Sequence, residues 1–277
     1  MMLSIRCAAP LVLALLAAAP AHAILGGAAT TAFKHVSNGV QITDNWVLTA
    51  RHVGGLTVNT LYSNGWGQAQ IGARYNLGGG DFPANDLALL RLASPIGSAP
   101  ALQLLATALR PGELATPLAA TIATGSIQVP RGFAATGITG VVDLIDPDGA
   151  GSRPAVPVSY LISVNGSGLL PIVQGGDSGG ALFLGAVSDS TGALLMGISS
   201  AQLQDETKAP LGSAFVQLAS YRNWIDGTMA ADLTDGQLPL WLSAPVPEPG
   251  AWALLLAGGA VLAARRRRPA CQGTSLP

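Results

Sequence analysis

Gly175-Gly176-Asp177-Ser178-Gly179-Gly180 is the stretch on which the reading of this chain turns. Four glycines and one aspartate enclose a single serine. A serine nucleophile needs its hydroxyl exposed on a tight turn, with backbone N–H groups aimed at the oxygen that becomes negative in the transition state. Glycine on both sides lets the backbone take that turn without a side chain in the way. In a chain with 35 glycines an ordinary Gly-rich loop could look the same. The stretch therefore has to be judged by its partners.

Two partners lie upstream. Trp46-Val47-Leu48-Thr49-Ala50-Arg51-His52 is a β-favouring run that delivers a histidine at its end, where a loop could present it to a serine. The other histidine of the body of the chain, His35, follows Lys34 without such a context and reads as surface or structural. Asn85-Asp86-Leu87-Ala88-Leu89-Leu90 places an aspartate directly before an apolar strand, where burial would require its charge to be satisfied. An imidazole N–H would satisfy it, fixing the tautomer whose other nitrogen can take a serine proton. A strand-capping aspartate is the plainer alternative.

His52, Asp86 and Ser178, in this order and with these neighbours, resemble the trypsin-like (chymotrypsin-family) serine proteases. Thr49–His52 is similar to that family's Thr-Ala-Ala-His, Asp86–Leu90 to its Asp-Ile-Ala-Leu-Leu, and Gly176–Gly180 matches its Gly-Asp-Ser-Gly-Gly. Gly197-Ile198-Ser199-Ser200 resembles the strand beside the substrate, and Phe215–Ile225 the closing strand and C-terminal helix. The likeness runs from about Ile24 to Ile225. It implies an all-β fold of two six-stranded antiparallel barrels with a C-terminal helix and a catalytic cleft between them. It also implies a nucleophile in Ser178, a proton shuttle in His52, an orienting Asp86, and an oxyanion hole from the N–H groups of Gly176 and Ser178.

The same resemblance assigns further roles. Cleavage after Ala23 would leave Ile24-Leu25-Gly26-Gly27, similar to the family's Ile-Val-Gly-Gly, whose new α-amine pairs with the aspartate before the nucleophile, here Asp177. Ser200 is expected near Asp86 and the substrate backbone, and Ile172, Ala201, Gln202 and Ser213 around the specificity pocket. Ile172 stands where trypsin-type specificity needs an acid. Cleavage after Lys or Arg is therefore not expected, and a small or medium uncharged residue is. Ala201 and Gln202 replace the usual aromatic and glycine.

The two ends of the chain read as addresses. Met1–Ala23 has a basic start at Arg6, an apolar run over 8–19 and the small-x-small site Ala21-His22-Ala23, the plan of a secretory signal peptide. At the other end come Val246-Pro247-Glu248-Pro249, an apolar stretch over 251–264, and Arg265–Arg268. The stretch is short for a membrane helix, but the arginines could hold its end at the cytoplasmic face. Pro-Glu-Pro, a short span and a basic tail together resemble the bacterial PEP-CTERM sorting signal. That implies a Gram-negative envelope, surface or matrix destination and an exosortase-type partner after signal peptidase.

Composition narrows the remaining classes. A formal charge of −1 and only 10% charged residues argue against a nucleic-acid partner. Cys7 and Cys271 both lie in the end segments, so the expected mature domain has neither disulfide nor thiolate chemistry. No phosphate loop or metal-ligand cluster is seen, and no cofactor or metal is expected. Val40–Ile42, Trp46–Thr49, Leu87–Leu92, Leu118–Ile122, Ala181–Leu184 and Leu194–Ile198 read as short strands between Gly, Asn, Asp and Pro turns. Asp189–Gly192 reads as a hairpin turn. Leu218, Tyr221, Trp224 and Ile225 share one side of a helix. The expected organisation is a signal peptide over 1–23 and a protease domain over 24–228, with halves meeting near Pro111-Gly112. A linker over 229–245, the sorting signal over 246–268 and a tail over 269–277 follow. The chief expectation is a serine endopeptidase acting on protein or peptide. The alternative is a silent binding protein on the same scaffold, such as an adhesin of an exopolysaccharide layer.

Overall fold

The computed structural model describes residues 24–78, 82, 85–97, 99–125, 132–143, 159–164, 171–232 and 237–243. The expected signal peptide, the Pro-Glu-Pro motif, the apolar stretch 251–264 and the tail lie outside them. Among the described residues no helix is long and apolar enough to cross a membrane.

The first half contains β1 (Ile24–Leu25), β2 (Ala28–Ala29), β3 (Val40–Gln41), β4 (Trp46–Thr49), β5 (Leu61–Ser63), β6 (Gln68–Asn76) and β7 (Ala88–Leu92). Five of these form one antiparallel sheet in the order β3-β4-β7-β6-β5. Alternation along a strand sends successive side chains to opposite faces. Val47, Leu90 and Leu92 thus pack with Tyr62 and Ile71 on one face, while Trp46, Leu48 and Leu89 join a larger core on the other. The run Trp46–Thr49 is buried throughout because both faces are covered. This half departs from the expected six strands. The sixth is reduced to one bridge, Val36 to Val40, because the chain reverses across Ser37–Gly39 and leaves no length for a ladder.

After β8 (Gln103–Leu105), which ends the first half of the chain, the second half carries β9 (Leu118–Thr124), β10 (Gly132–Ile138), β11 (Gly140–Asp143), β12 (Ser159–Val164), β13 (Ile172–Val173), β14 (Ala181–Leu184), β15 (Leu194–Gln204) and β16 (Pro210–Gln217). Its sheet runs β11-β12-β16-β15-β14-β9-β10-β2. Only Thr139 separates β10 from β11, so one bent strand leaves one edge of the sheet and pairs at the other. Counted so, β9, β10–β11, β12, β14, β15 and β16 close a six-stranded barrel, as the resemblance implies. Thr136 and Ser163 meet across the closure at 2.7 Å. Ile122, Ile138, Leu161, Leu182, Met196 and Phe215 fill its interior.

The larger core lies between the halves, joining Phe33, Trp46 and Leu89 to Phe183, Ile198 and Val216. A 3-10 turn over Leu218–Tyr221 leads into helix α1 (Arg222–Ala231), burying Leu218, Tyr221, Ile225 and Met229 against it. Where the sequence reading places a linker, β17 (Leu240–Leu242) pairs in parallel with β8, which itself pairs in parallel with β15. Trp241 holds it down, donating from Nε1 to Asp226 Oδ1 at 2.7 Å.

Candidate active site

Paired strand ends assemble the first two groups. Thr49 at the end of β4 lies opposite Ala88 at the start of β7. His52, three residues beyond Thr49, and Asp86, two before Ala88, are therefore brought together by the ladder. The Asp86 carboxylate is buried (2% exposed), and three donors satisfy it: the His52 backbone N–H at 2.9 Å, His52 Nδ1 at 2.8 Å and the Ser200 hydroxyl. A carboxylate only accepts, so Nδ1 carries the imidazole proton and Nε2 presents a lone pair. That lone pair faces Ser178 Oγ at 2.8 Å.

Ser178 comes from the turn between β13 and β14. Gly179 has φ +85°, and a Cβ there would stand 2.0 Å from the carbonyl oxygen of Asn38 and 2.6 Å from Thr49 Oγ1. Only glycine lets this turn close onto the end of β4, and that approach sets the serine beside His52. Gly179 N–H donates to Ser199 O and Ser199 N–H to Gly180 O, tying the turn to β15. Gly176 has φ +100° and its carbonyl accepts from Asn38 Nδ2 at 3.2 Å. Among the described residues the N–H groups of Gly176 and Ser178 donate to no protein acceptor.

Asp177 faces the interior. It is buried, accepts from Gln174 N–H (2.7 Å) and Thr124 Oγ1 (2.9 Å), and burial pushes its pKa up to about 6. No cation among the described residues pairs with it. Ile24, fully buried, stands opposite Val173 in the β1–β13 pair, one residue from Gln174.

The residues expected around a specificity pocket converge on β13. Ser213 Oγ accepts from Val173 N–H at 3.0 Å, and Gln202 Nε2 donates to Val173 O at 3.1 Å. Ile172 and Ser213 are buried, while Ala201 and Gln202 are half-buried. His35 is fully buried, bonded to Ser190 Oγ (2.7 Å) and Pro100 O (2.8 Å), so of its two expected readings the surface one is wrong. Burial holds its pKa below the ordinary value. Among the described residues no cluster of three or more His, Cys, Asp or Glu is placed to hold a metal ion.

Sequence reasoning missed three neighbours. Phe82, half exposed, sets its ring edge-on to His52 with centroids 5.3 Å apart. Tyr160 brings its hydroxyl within 3.4 Å of Ser200 Oγ. Asn38 is the third. No motif marks any of them, because each is recruited by tertiary packing.

A family model described as Trypsin matches residues 20–225. No curated protein matches the chain. Among solved structures, a kallikrein-related peptidase 10 complex with Zn2+ is similar at 20% identity and a TM-score of 0.42, covering 70% of this chain and 89% of that one. A scabies mite inactivated protease paralogue is similar at 17% identity and a TM-score of 0.46, covering 70% and 87%.

Proposed function

The chain belongs to the trypsin family, and on that premise we propose that it is an exported serine endopeptidase working through Ser178, His52 and Asp86. The observation that carries this reading is the unbroken relay from Asp86 to His52 to Ser178, with both contacts at 2.8 Å. Ser178 Oγ attacks the scissile carbonyl while His52 Nε2 takes its proton, later returned to the leaving amine. Asp86 holds the tautomer and stabilises the imidazolium. The undonated N–H groups of Gly176 and Ser178 receive the oxyanion, a contribution of about 10²–10³ in rate for each such donor. Water then hydrolyses the acyl-enzyme by the same route.

The substrate side chain admitted is uncharged and small to medium. Ile172 offers no carboxylate to a cationic side chain; Gln202 Nε2 and Ser213 Oγ are engaged with the Val173 peptide, and Gln202 Oε1 accepts from Gln204 Nε2. Ser200, bonded to Asp86, and Ala201 border the substrate backbone.

Activation follows export. Signal peptidase cleavage after Ala23 frees the Ile24 amine, which is charged at neutral pH. It enters beside Val173 and neutralises Asp177, whose buried carboxylate otherwise has only dipoles for partners. The C-terminal signal carries the protein to an exosortase-type enzyme at the membrane, with an envelope, surface or matrix destination.

The first test is fluorophosphonate labelling of exported protein whose N-terminus maps to Ile24, beside Ser178→Ala. Labelling of the wild type alone is expected, followed by peptide profiling that favours uncharged residues at the cleavage site. Folded wild type that stays unlabelled would move the binding-scaffold reading ahead.

A further inference from the structure

His52 stands at the head of a loop that its own sequence does little to fix. Gly54 and Gly55 follow it, and a Cβ at either would meet open space. Two adjacent glycines give the backbone wide conformational freedom. Yet a proton shuttle has to be held to a few tenths of an ångström, since a misplacement of about 1 Å costs on the order of 10² in rate.

One side chain from a neighbouring strand gathers that loop. Arg74, on β6, donates from Nη2 to Arg51 O at 2.6 Å, and from Nη1 to Val53 O at 2.9 Å and Leu56 O at 2.5 Å. Its Nε is aimed by Asn76 Oδ1 at 3.0 Å. The Arg51–His52 peptide is thereby held at both ends: its carbonyl accepts from Arg74 and its N–H donates to Asp86 Oδ1. Fixing that plane fixes the direction in which the His52 side chain leaves the backbone. β6 pairs with β7, the strand that Asp86 leads, so Arg74 and Asp86 grip one peptide from adjacent strands. Burial lowers the guanidinium pKa, and the Asp86 charge pulls it back up.

The geometry points to Arg74 as a positioning residue for His52, a guanidinium clamp that orients the imidazole toward Ser178 by holding three carbonyls of its loop. The fork geometry matters. A lysine would keep the charge but cannot reach all three acceptors in a fixed plane. The inference rests on the catalytic reading of His52, and its test separates the two.

Exported wild type, Arg74→Ala and Arg74→Lys are compared on a p-nitrophenyl ester, with hydrogen exchange of the 51–56 amides measured in parallel. Arg74→Ala is expected to lower kcat by about 10–100-fold with KM within about twofold, and millimolar guanidinium is expected to recover part of the loss. Arg74→Lys falls between, with its thermal transition intact and the loop amides exchanging faster. Wild-type kcat in both variants overturns the clamp, as does wild-type exchange across 51–56 in Arg74→Lys. Should Arg74→Ala fail to fold, Arg74→Lys decides alone. Wild type that reacts with neither ester nor fluorophosphonate defeats the protease reading, and the exchange comparison still reads the clamp.

Discussion

At the residue scale the site depends on what is missing as much as on what is present. Gly179 brings the nucleophile turn to within contact of Asn38 and Thr49, at a positive φ that L side chains rarely adopt. Gly179→Ala is expected to cost several kcal/mol, from strain plus the displaced Asn38 carbonyl, and to abolish labelling at Ser178. Gly175→Ala, where a Cβ meets open space, is the control and should stay folded and reactive. Chemical denaturation of both variants would reveal the contrast, and equal stabilities would refute it. Asp86→Asn tests the relay itself. Its amide cannot accept from His52 N–H, His52 Nδ1 and Ser200 as the carboxylate does, so the wrong tautomer is favoured. We expect kcat to fall by about 10⁴ while the fold survives. A loss below tenfold would show that Asp86 does not set the tautomer. The grouping of His52, Asp86 and Ser178 was legible in the sequence because each sits inside a short motif whose local context survives folding. The contacts of Asn38, Phe82, Tyr160 and Arg74 were not, because they arise only where segments distant in the sequence meet.

At the element scale the legible strands are those with continuous apolar runs. All six runs singled out from the sequence lie on β3, β4, β7, β9, β14 and β15. β5, β6 and β10 carry Gln, Ser, Asn, Arg and Gly among their apolar residues, so no continuous apolar run announces them, although burial alternates along β10 and the start of β6. The closure of the second barrel through Thr139 and the parallel attachment of β8 and β17 are tertiary choices that no local pattern records. β17 gives the next prediction. Trp241 is half-buried, bonded to Asp226 and capped by the Arg222 guanidinium 5.3 Å from its ring. Trp241→Ala should destabilise the domain by about 2 kcal/mol, less than a fully buried tryptophan would. The melting temperature should drop while fluorophosphonate labelling persists. An unchanged melting temperature would mean that β17 is not part of the folded domain in solution.

At the scale of the whole molecule, the proposed activation would couple processing at one end to the catalytic turn through Asp177. In the uncleaved chain its carboxyl, held up to about 6, keeps a proton that the unfolded chain releases near its ordinary pKa of about 3.9. Between those values the folded state binds more protons, so stability falls as pH rises, by on the order of 3 kcal/mol in all, and then levels off. Freeing the Ile24 amine, as proposed, would reverse the sign. Pairing as proposed would draw the Asp177 pKa below its unfolded value, so its contribution to stability would be present above about pH 4 and lost as pH falls through the folded pKa. By the same pairing the amine's pKa would rise above its free value of about 7.7–8.0, and its contribution would be lost as pH climbs through that raised value. Urea denaturation of Ser178→Ala protein beginning at Ile24, against the same protein beginning at Ala23, isolates the effect without self-digestion. Between pH 4 and pH 7 the Ile24 form should gain stability relative to the Ala23 form, since the buried His35 and the other titrating groups contribute alike to both. Parallel profiles would break the link between export and activation, leaving Asp177 neutralised by some other route. Diverging profiles would make the position of signal cleavage, to the residue, the switch that sets the catalytic turn.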